Sequence, residues 1–281
     1  MNYQTFERVT QECSRKVTTA YSTSFSIGIS LLNKSVRNDI YAIYAYVRFA
    51  DEIVDTFHDF DKVSLLDNFI AQTYDAIRQG ISLNPILHQF QKTVNAYQID
   101  KNLIESFLNS MIMDLDKKEH TRESYEHYIV GSAEAVGLMC LQVFCKGDST
   151  LYGELAPYAS RLGAAFQKVN FLRDIQADTE GLGRNYFPHW QSNEDFSEEV
   201  KGKLLEEIRQ DFKYARIGIS RLPDCCKTGV YAAYVYYKAL LIKIARTPSK
   251  KLACSRVRIN NFTKLALLFY AGLRVKLSGL K

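Results

Sequence analysis

Apolar residues recur at helical spacing along most of this 281-residue chain. Within residues 37–57, Ile40, Ile43, Val47, Ala50 and Val54 follow one another every three or four positions over about five turns. The same spacing predicts further helices at 61–80, 83–97, 101–114, 122–144, 151–178, 198–222, 229–246 and 260–277. No alternating pattern is long enough to predict a strand. The pattern therefore predicts an all-α protein with about eight to ten helices.

The composition favours one folded domain. Hydrophobic residues make up 47% of the chain and charged residues 24%, and the 14 glycines and 5 prolines form no flexible linker. We therefore expect residues 1–281 to fold as a single domain. The 6 cysteines lack zinc-type spacing and no secretory signal is visible, which predicts free thiols in a cytoplasmic protein. No segment reaches the roughly 20 apolar residues that cross a bilayer.

Basic residues are concentrated towards the C-terminal end. The net charge is +5, but the segment 238–281 contains 11 Lys and Arg residues and no Asp or Glu. Such a segment suits peripheral contact with an anionic inner membrane, binding of a diphosphate or binding of a nucleic acid. An ordinary solvated basic face is the alternative interpretation.

A polar stripe on the helix predicted at 37–57 is the first candidate for chemistry. Tyr44, Arg48, Asp51 and Asp55 are spaced by four, three and four residues, which places them on one helical face. Their neighbours along the helix are mostly apolar. The carboxylates are therefore expected at the margin of an apolar surface.

A second polar stripe lies on the helix predicted at 151–178. Gly163, Gln167, Asn170, Asp174 and Asp178 are spaced by four, three, four and four residues. Carboxylates beside apolar surface need cations or other partners, because an unpaired buried charge is costly. Two facing stripes would hold Mg²⁺ against a diphosphate, since Mg²⁺ prefers oxygen ligands. The spacing alone leaves a buried network of structural charges as an equal alternative.

Both stripes belong to a set of motifs that resembles the squalene/phytoene synthase family. The resemblance runs from about Tyr21 to the C-terminus, and the form GSAEAV at 131–136 looks like the carotenoid branch of that family. The matching segments are 21–26 (YSTSFS), 51–55 (DEIVD), 111–114 (MIMD), 128–137 (YIVGSAEAVG), 167–178 (QKVNFLRDIQAD) and 183–188 (GRNYFP).

The resemblance implies a fold and a metal site. The fold would be an isoprenoid-synthase-type helical bundle around a central cavity. The cofactor would be Mg²⁺, or Mn²⁺ in its place, held together with the substrate diphosphates. The implied metal ligands are Asp51, Asp55, Asn170, Asp174 and Asp178.

The resemblance also implies which residues act on the substrate. Arg48, Arg184 and Arg256 would contact diphosphate. Ser24 and Phe25 would line the first pocket. The implied catalytic residues are Tyr44, Arg48, Asp51, Asp55, Tyr128, Gln167, Asp174 and Asp178. The implied substrate-binding residues are Ser24, Phe25, Arg48, Gln167, Arg184, Tyr236 and Arg256.

The implied activity is the head-to-head condensation of two geranylgeranyl diphosphates to phytoene, through the cyclopropyl intermediate prephytoene diphosphate. The alternative is squalene or dehydrosqualene synthesis from farnesyl diphosphate, and only squalene would need NADPH. A carotenoid desaturase is the implied downstream partner. A non-catalytic assembly factor would be expected to lack the aspartates. A nucleic-acid binder would leave both stripes unexplained, so no nucleic-acid partner is expected.

Overall fold

The computed structural model describes residues 2–116, 119–188, 190 and 196–278. In this part of the chain the backbone forms thirteen α-helices, and strand-like pairing is limited to an isolated bridge. The all-α prediction is confirmed, with more helices than expected. The helices are Tyr3–Tyr21 (α1), Thr23–Ser30 (α2), Lys34–Asp55 (α3), Lys62–Gln79 (α4), Pro85–Tyr97 (α5), Lys101–Asp116 (α6), Arg122–Ile129 (α7), Ala135–Cys145 (α8), Ser149–Gln176 (α9), Glu198–Arg221 (α10), Asp224–Arg246 (α11), Ser249–Cys254 (α12) and Asn261–Ser278 (α13).

Apolar spacing does not predict three of these helices, α1, α2 and α12. The buried face of α1 consists of Thr10, Ser14 and Thr18, whose hydroxyl groups donate to backbone carbonyls of the preceding turn. Because this buried face is polar, a search for apolar spacing overlooks the helix. The other two are short, with 8 residues in α2 and 6 in α12.

Two long helices, α3 and α9, lie at the centre of the bundle. Helix α3 packs against α1, α5 and α8, and α9 packs against α8, α10 and α11. Each begins with a side-chain cap, Asn33 before α3 and Asp148 before α9. Large buried rings of Tyr46, Phe90 and Phe107 fill the core beside α3. The polar stripes of α3 and α9 border a cavity of about 460 Å³ that the bundle encloses.

Small residues let the helices around this cavity approach closely. A short π-helical segment, Val130–Glu134, joins α7 to α8. A Cβ on Gly131 in this segment would lie 2.3 Å from the carbonyl oxygen of Ser106, and one on Gly163 of α9 would lie 2.5 Å from that of Ala133. Any larger residue at either position would push two helices apart.

The stretch Arg122–Cys145, formed by α7, the π-helical segment and α8, is long enough to cross a membrane, and its most apolar window of 18 residues has a mean hydropathy of 1.6. This differs from the expectation that no segment would qualify. However, 56% of its most apolar window is buried inside the protein, as in a core helix. A single helix of this kind is therefore weak support for a membrane span.

Candidate active site

The central cavity is apolar inside and charged at its opening. Among the residues that line it, Leu32, Leu141 and Leu222 are buried. The charged side chains of Arg48 and Asp51, which also line it, are 28% and 33% exposed. The cavity therefore offers an apolar compartment behind a polar entrance, within the usual size range of ligand pockets.

Arg48 on α3 is a cation that belongs to the first polar stripe itself. It pairs with Glu52, and its Nη1 atom lies 4.0 Å from Oδ2 of Asp51. Its guanidinium carbon also lies 4.7 Å from the centroid of the Tyr21 ring. Its Nε atom is buried and has no hydrogen-bond partner within the described structure. One donor of this side chain is thus left for a ligand.

The second acidic stripe is neutralised at one position only. Asp174 on α9 accepts a hydrogen bond of 3.0 Å from Nε of Arg173, and Nε of Arg256 lies 2.6 Å from its Oδ1 atom. Asp178 follows on the π-helical segment Ala177–Gly181, which continues α9. Within the described residues, no Lys or Arg nitrogen lies within ion-pair distance of the Asp178 carboxylate.

The two stripes face each other across the opening. Burial and the nearby charge of Asp55 raise the pKa of Asp51 to about 8. Burial and the charges of Asp174 and Asp55 raise the pKa of Asp178 to about 8. Because Asp55 on α3 acts on a carboxylate at the end of α9, the aspartates of the two helices lie within each other's electric field. The opening thus holds more carboxyl groups than its arginines can keep ionised.

A buried hydrogen-bond network joins the first stripe to the cavity wall. Nη1 of Arg184 donates to Oδ1 of Asp55 over 2.7 Å and lies 3.6 Å from Oδ1 of Asp114. Asp114 also accepts hydrogen bonds from the hydroxyls of Tyr128 at 2.7 Å and Tyr186 at 3.0 Å. Burial raises the pKa of Asp114 to about 6, although Arg184 and the Tyr128 hydrogen bond oppose this shift. The network fixes Tyr128 at the cavity wall and Arg184 against Asp55.

Aromatic rings form another wall of the cavity. The Phe25 ring lies 5.6 Å from that of Tyr44 and 5.9 Å from that of Tyr237, measured between centroids. Phe166 stacks on Tyr237 at 4.0 Å. The Tyr237 hydroxyl donates a hydrogen bond of 3.2 Å to Oδ1 of Asn170. Rings placed beside a charged opening suit the stabilisation of a cationic group.

The structure brings the site residues predicted from the sequence together around one opening. Asp55, Asp174, Asp178 and Arg184 lie next to the cavity, connected to its lining by the ion pairs and charges described above. Their roles in binding and catalysis stay predictions, because position alone does not test them. The predicted residues that line the cavity directly are Ser24, Phe25, Tyr44, Arg48, Asp51, Tyr128, Gln167, Asn170, Tyr236 and Arg256.

Sequence reasoning assigns no site role to Asp114, Tyr186 or Tyr237, although all three contact predicted site residues. Asp114 and Tyr186 fall within segments that carry the family resemblance, which was the available signal. Tyr237 adjoins the predicted Tyr236 on α11, and both line the cavity. The helical periodicity could not tell which of two adjacent tyrosines would reach Asn170.

The carboxylates of the two stripes fit a divalent cation in chemistry and in charge. Asp51, Asp55, Asp174 and Asp178 offer only oxygen donors, which Mg²⁺ prefers, and their negative charge is incompletely neutralised. Among the described residues, no group of three or more His, Cys, Asp and Glu side chains is arranged to hold a metal ion. A cation here would therefore complete its coordination with substrate oxygens and water, as Mg²⁺ commonly does.

Named relatives of this chain include phytoene synthases. Over 280 residues it is 27% identical to the chloroplastic phytoene synthase of Narcissus pseudonarcissus, an alignment that covers 89% of this chain and 61% of that protein. Over 278 residues it is 24% identical to the 15-cis-phytoene synthase of Paracoccus sp. (strain N81106 / MBIC 01143), covering 92% and 90%. The chain thus spans less than two thirds of the length of the chloroplastic relative and most of the bacterial one.

Solved structures share the helical arrangement. A dehydrosqualene synthase in complex with ligand matches with a TM-score of 0.80 and 19% identity, over 98% of this chain and 99% of that chain. The squalene synthase HpnC from Alicyclobacillus acidocaldarius matches with a TM-score of 0.75 and 20% identity, over 89% and 97%. These likenesses confirm the isoprenoid-synthase-type helical fold.

The sequence profile described as Squalene/phytoene synthase matches residues 18–263. The match begins close to the expected Tyr21 but ends just after the start of α13, short of the C-terminus. Since it covers most of the chain, this protein belongs to the squalene/phytoene synthase family, a family of prenyl-transferase enzymes.

Proposed function

We propose that this protein joins two molecules of geranylgeranyl diphosphate head to head to give phytoene. In the first half, the two substrates yield prephytoene diphosphate, one diphosphate and one proton. In the second half, this cyclopropyl intermediate yields phytoene, a second diphosphate and a second proton. The observation that carries the proposal is the pair of acidic helices that face each other at the opening of an apolar cavity.

The aspartates of the two stripes would bind the metal-diphosphate part of the substrate. Mg²⁺, or Mn²⁺ in its place, would neutralise the diphosphate leaving group when bound. The chain's own contribution is to concentrate carboxylates at one opening and to keep them ionised there once their charge is balanced. The proposed ligands are Asp51, Asp55, Asn170, Asp174 and Asp178.

The arginines around the opening would bind the diphosphates directly. In the structure, Arg184 donates a hydrogen bond to Asp55, and Arg256 forms an ion pair with Asp174. A bound diphosphate would attract these guanidinium groups through the same charge-assisted hydrogen bonds that now hold them to carboxylates. Arg48, whose Nε atom has no partner, would gain a hydrogen bond without losing one.

The cavity walls would protect carbocation intermediates from water. The apolar interior accepts prenyl chains and excludes solvent, and the rings of Phe25, Tyr44 and Tyr237 place negative π faces along one wall. The hydroxyl of Tyr128 donates a hydrogen bond to Asp114, which leaves the lone pairs of the tyrosine oxygen free to accept. This arrangement suits a group that receives a proton from the substrate.

Product analysis tests the proposal. Purified protein would be incubated with geranylgeranyl or farnesyl diphosphate, each with and without NADPH, and the extracted hydrocarbons identified by mass spectrometry. We expect phytoene from geranylgeranyl diphosphate without NADPH, lost on chelation with EDTA and restored by Mg²⁺. If the main product is instead squalene or dehydrosqualene from farnesyl diphosphate, the protein is a synthase of that kind and the phytoene proposal is wrong. No hydrocarbon from either substrate would refute both.

The cellular setting is part of the proposal. We place the protein in the cytoplasm, where a carotenoid desaturase would consume its product. The product is an apolar hydrocarbon and the substrates carry long prenyl chains, so both partition into lipid. A route between the cavity and a bilayer would therefore serve this reaction.

A further inference from the structure

Helix α13 exposes a row of large apolar side chains. Phe262, Leu265, Phe269, Leu273 and Leu277 follow one another at intervals of three or four residues, so they share one helical face. Their exposures are 83%, 66%, 75%, 45% and 74%. This row is called the outer face of α13. The family profile ends at residue 263 and does not account for it.

The opposite face of α13 already has a partner within the protein. The helix packs on α11, and Leu267, Leu268 and Val275 contact the hydrophobic core while Ala271 is fully buried. Helix α13 is thus apolar on both sides. A helix of that composition is normally covered on both sides, and a contiguous exposed apolar row marks an interaction surface.

The charge around the outer face identifies the chemistry of what covers it. In the described part of the segment 238–278 there are ten Lys and Arg residues and no Asp or Glu. On α13 itself these are Lys264, Arg274 and Lys276, of which Arg274 and Lys276 are exposed. An apolar face among basic residues is complementary to an anionic bilayer, which offers acyl chains beneath negative headgroups.

A second copy of the chain fits this surface less well. A two-fold dimer would place the same surface of both copies in contact. The exposed Arg274 and Lys276 of both copies would then lie in one interface without any acidic residue of this segment to balance them. Such a dimer would bury like charges, whereas a layer of anionic headgroups neutralises them.

Helix α13 lies one helix away from the cavity. Helix α11, on which it packs, contributes Val230, Ala233 and Tyr236 to the cavity lining. Nζ of Lys264 on α13 lies 5.9 Å from the centroid of the Tyr236 ring. Whatever covers the outer face is therefore separated from the helix that lines the cavity by α13 alone.

We propose that the outer face of α13 inserts into the interfacial region of an anionic bilayer, with the basic residues around it on the lipid headgroups. The helix would lie in the plane of the interface and would not cross the bilayer, because its other face stays packed on α11. This orientation brings the lipid surface to within the thickness of one helix of α11 and the cavity that it lines. The proposal goes beyond the proposed condensation and does not depend on it.

Vesicle flotation tests the proposal directly. The full-length protein would be mixed with vesicles of phosphatidylcholine containing about 30% phosphatidylglycerol, and separately with phosphatidylcholine alone. We expect flotation with the anionic vesicles and much weaker flotation with the neutral ones. Combining Leu265→Ser, Phe269→Ser and Leu273→Ser should reduce binding to anionic vesicles at least about tenfold.

A matched triple variant supplies the control. Val63, Ile81 and Leu83 are also exposed apolar residues, but they lie on and after α4, away from α13. Combining Val63→Ser, Ile81→Ser and Leu83→Ser should leave flotation unchanged. Circular dichroism would confirm that both triple variants are folded, and Phe269→Ser alone gives a milder second test in the same direction.

Three outcomes would overturn the proposal. These are no flotation of the folded wild-type protein with anionic vesicles, equal loss of flotation in both triple variants, or unchanged flotation in the α13 variant. If the wild-type protein does not float but forms dimers, and the α13 substitutions dissociate these dimers, the outer face binds a second copy of the chain. Because flotation needs neither substrate nor metal, its failure would say nothing about phytoene synthesis, and inactivity would say nothing about lipid binding.

Discussion

The two sides of α9 hold buried charges that are balanced in opposite ways. On one side, Nζ of Lys168 lies 2.5 Å from Glu207 and 2.6 Å from Asp211, both on α10. Burial would raise the pKa of Glu207, but Lys168 and Arg122 outweigh it and lower the pKa below its ordinary value. On the other side, burial and neighbouring carboxylates raise the pKa of Asp178 to about 8.

This difference separates charges that hold the fold together from charges that wait for a ligand. Around Lys168 every buried carboxylate has a cation within reach, so the cluster is complete within the protein. At the opening, among the described residues, no cation lies within ion-pair distance of Asp178, and Asp51 has only Arg48 at 4.0 Å, which also pairs with Glu52. The protein therefore bears the cost of crowding these carboxylates together. Perturbed carboxylates in a cleft are typical of functional sites.

Removing an unbalanced aspartate should have the largest effect, a loss of activity without a loss of stability. Asp51→Asn and Asp178→Asn preserve side-chain size and each remove from the opening one carboxylate that would bind the cation, so product formation should fall at least about a thousandfold. The free energy of unfolding should stay unchanged or rise, because the remaining carboxylates repel each other less. Hydrocarbon formation at saturating Mg²⁺ and urea unfolding measure the two effects.

Asp75→Asn is the matched control for these variants, since Asp75 lies exposed on α4. It should change neither hydrocarbon formation nor stability. Near-normal product formation by Asp51→Asn or Asp178→Asn would show that catalysis does not use the charge at the opening. A large loss of stability in either would mean that this cluster is balanced like the one around Lys168.

Removing the cation from the balanced cluster should have the opposite result. Lys168→Met would leave Glu207 and Asp211 without the cation between them, and should lower the free energy of unfolding by about 3–5 kcal/mol. The activity of the protein that remains folded should change little, because Lys168 does not line the cavity. Lys213→Met, at an exposed position of α10, is the control for urea unfolding. If Lys168→Met lost activity but kept its stability, the charges around Lys168 would not be structural, and the two sides of α9 would not differ as described.

The sequence predicts the local part of this comparison and not the long-range part. Asp51 and Asp55, and Asp174 and Asp178, are each four residues apart, so helical geometry alone aligns each pair. Which carboxylates are neutralised depends on contacts between distant parts of the chain. Arg184 reaches Asp55 across 129 positions, a pairing that only the packed fold creates.

The same limit explains which helices the sequence predicts. Helices α3 and α9 have apolar faces, so their periodicity is visible in the residues themselves. Helix α1 buries Thr10, Ser14 and Thr18, and its position becomes clear only from its packing on α3 and α5. The outer face of α13 misleads in the opposite direction. Its apolar row predicts burial, but the protein leaves it exposed.

Asp114 should show an effect of intermediate size, since it joins the opening to the buried interior. Asp114→Asn would remove the charge that faces Arg184 and weaken the acceptor that orients Tyr128, and should lower kcat by about 10- to 100-fold. The KM for geranylgeranyl diphosphate should change less, because Asp114 does not line the cavity. Steady-state kinetics over a range of Mg²⁺ concentrations separates these effects.

Asp116→Asn provides the control on the same helix, because Asp116 is exposed at the end of α6. It should leave kcat and KM unchanged. If Asp114→Asn instead lowered only stability, with normal kcat in the folded fraction, Asp114 would belong with the structural charges around Lys168. Rescue of kcat by Asp114→Glu would support a role for the carboxylate itself.

The smallest effect is expected at a second balanced cluster, between α1 and α5. Burial would raise the pKa of Glu7, but hydrogen bonds from Lys92 and His88 outweigh it and lower the pKa from 4.5 to about 2. Because the folded value is below the unfolded one, this stabilisation is complete above about pH 4.5 and is lost as the pH falls towards 2. Glu7→Gln should therefore cost about 1–2 kcal/mol in urea unfolding at pH 7, and progressively less at lower pH. Glu12 is exposed on the same helix, so Glu12→Gln should leave the free energy of unfolding unchanged at pH 7 and at lower pH. A cost at Glu7 that did not shrink on acidification would mean that packing, and not charge balance, holds α1 to α5.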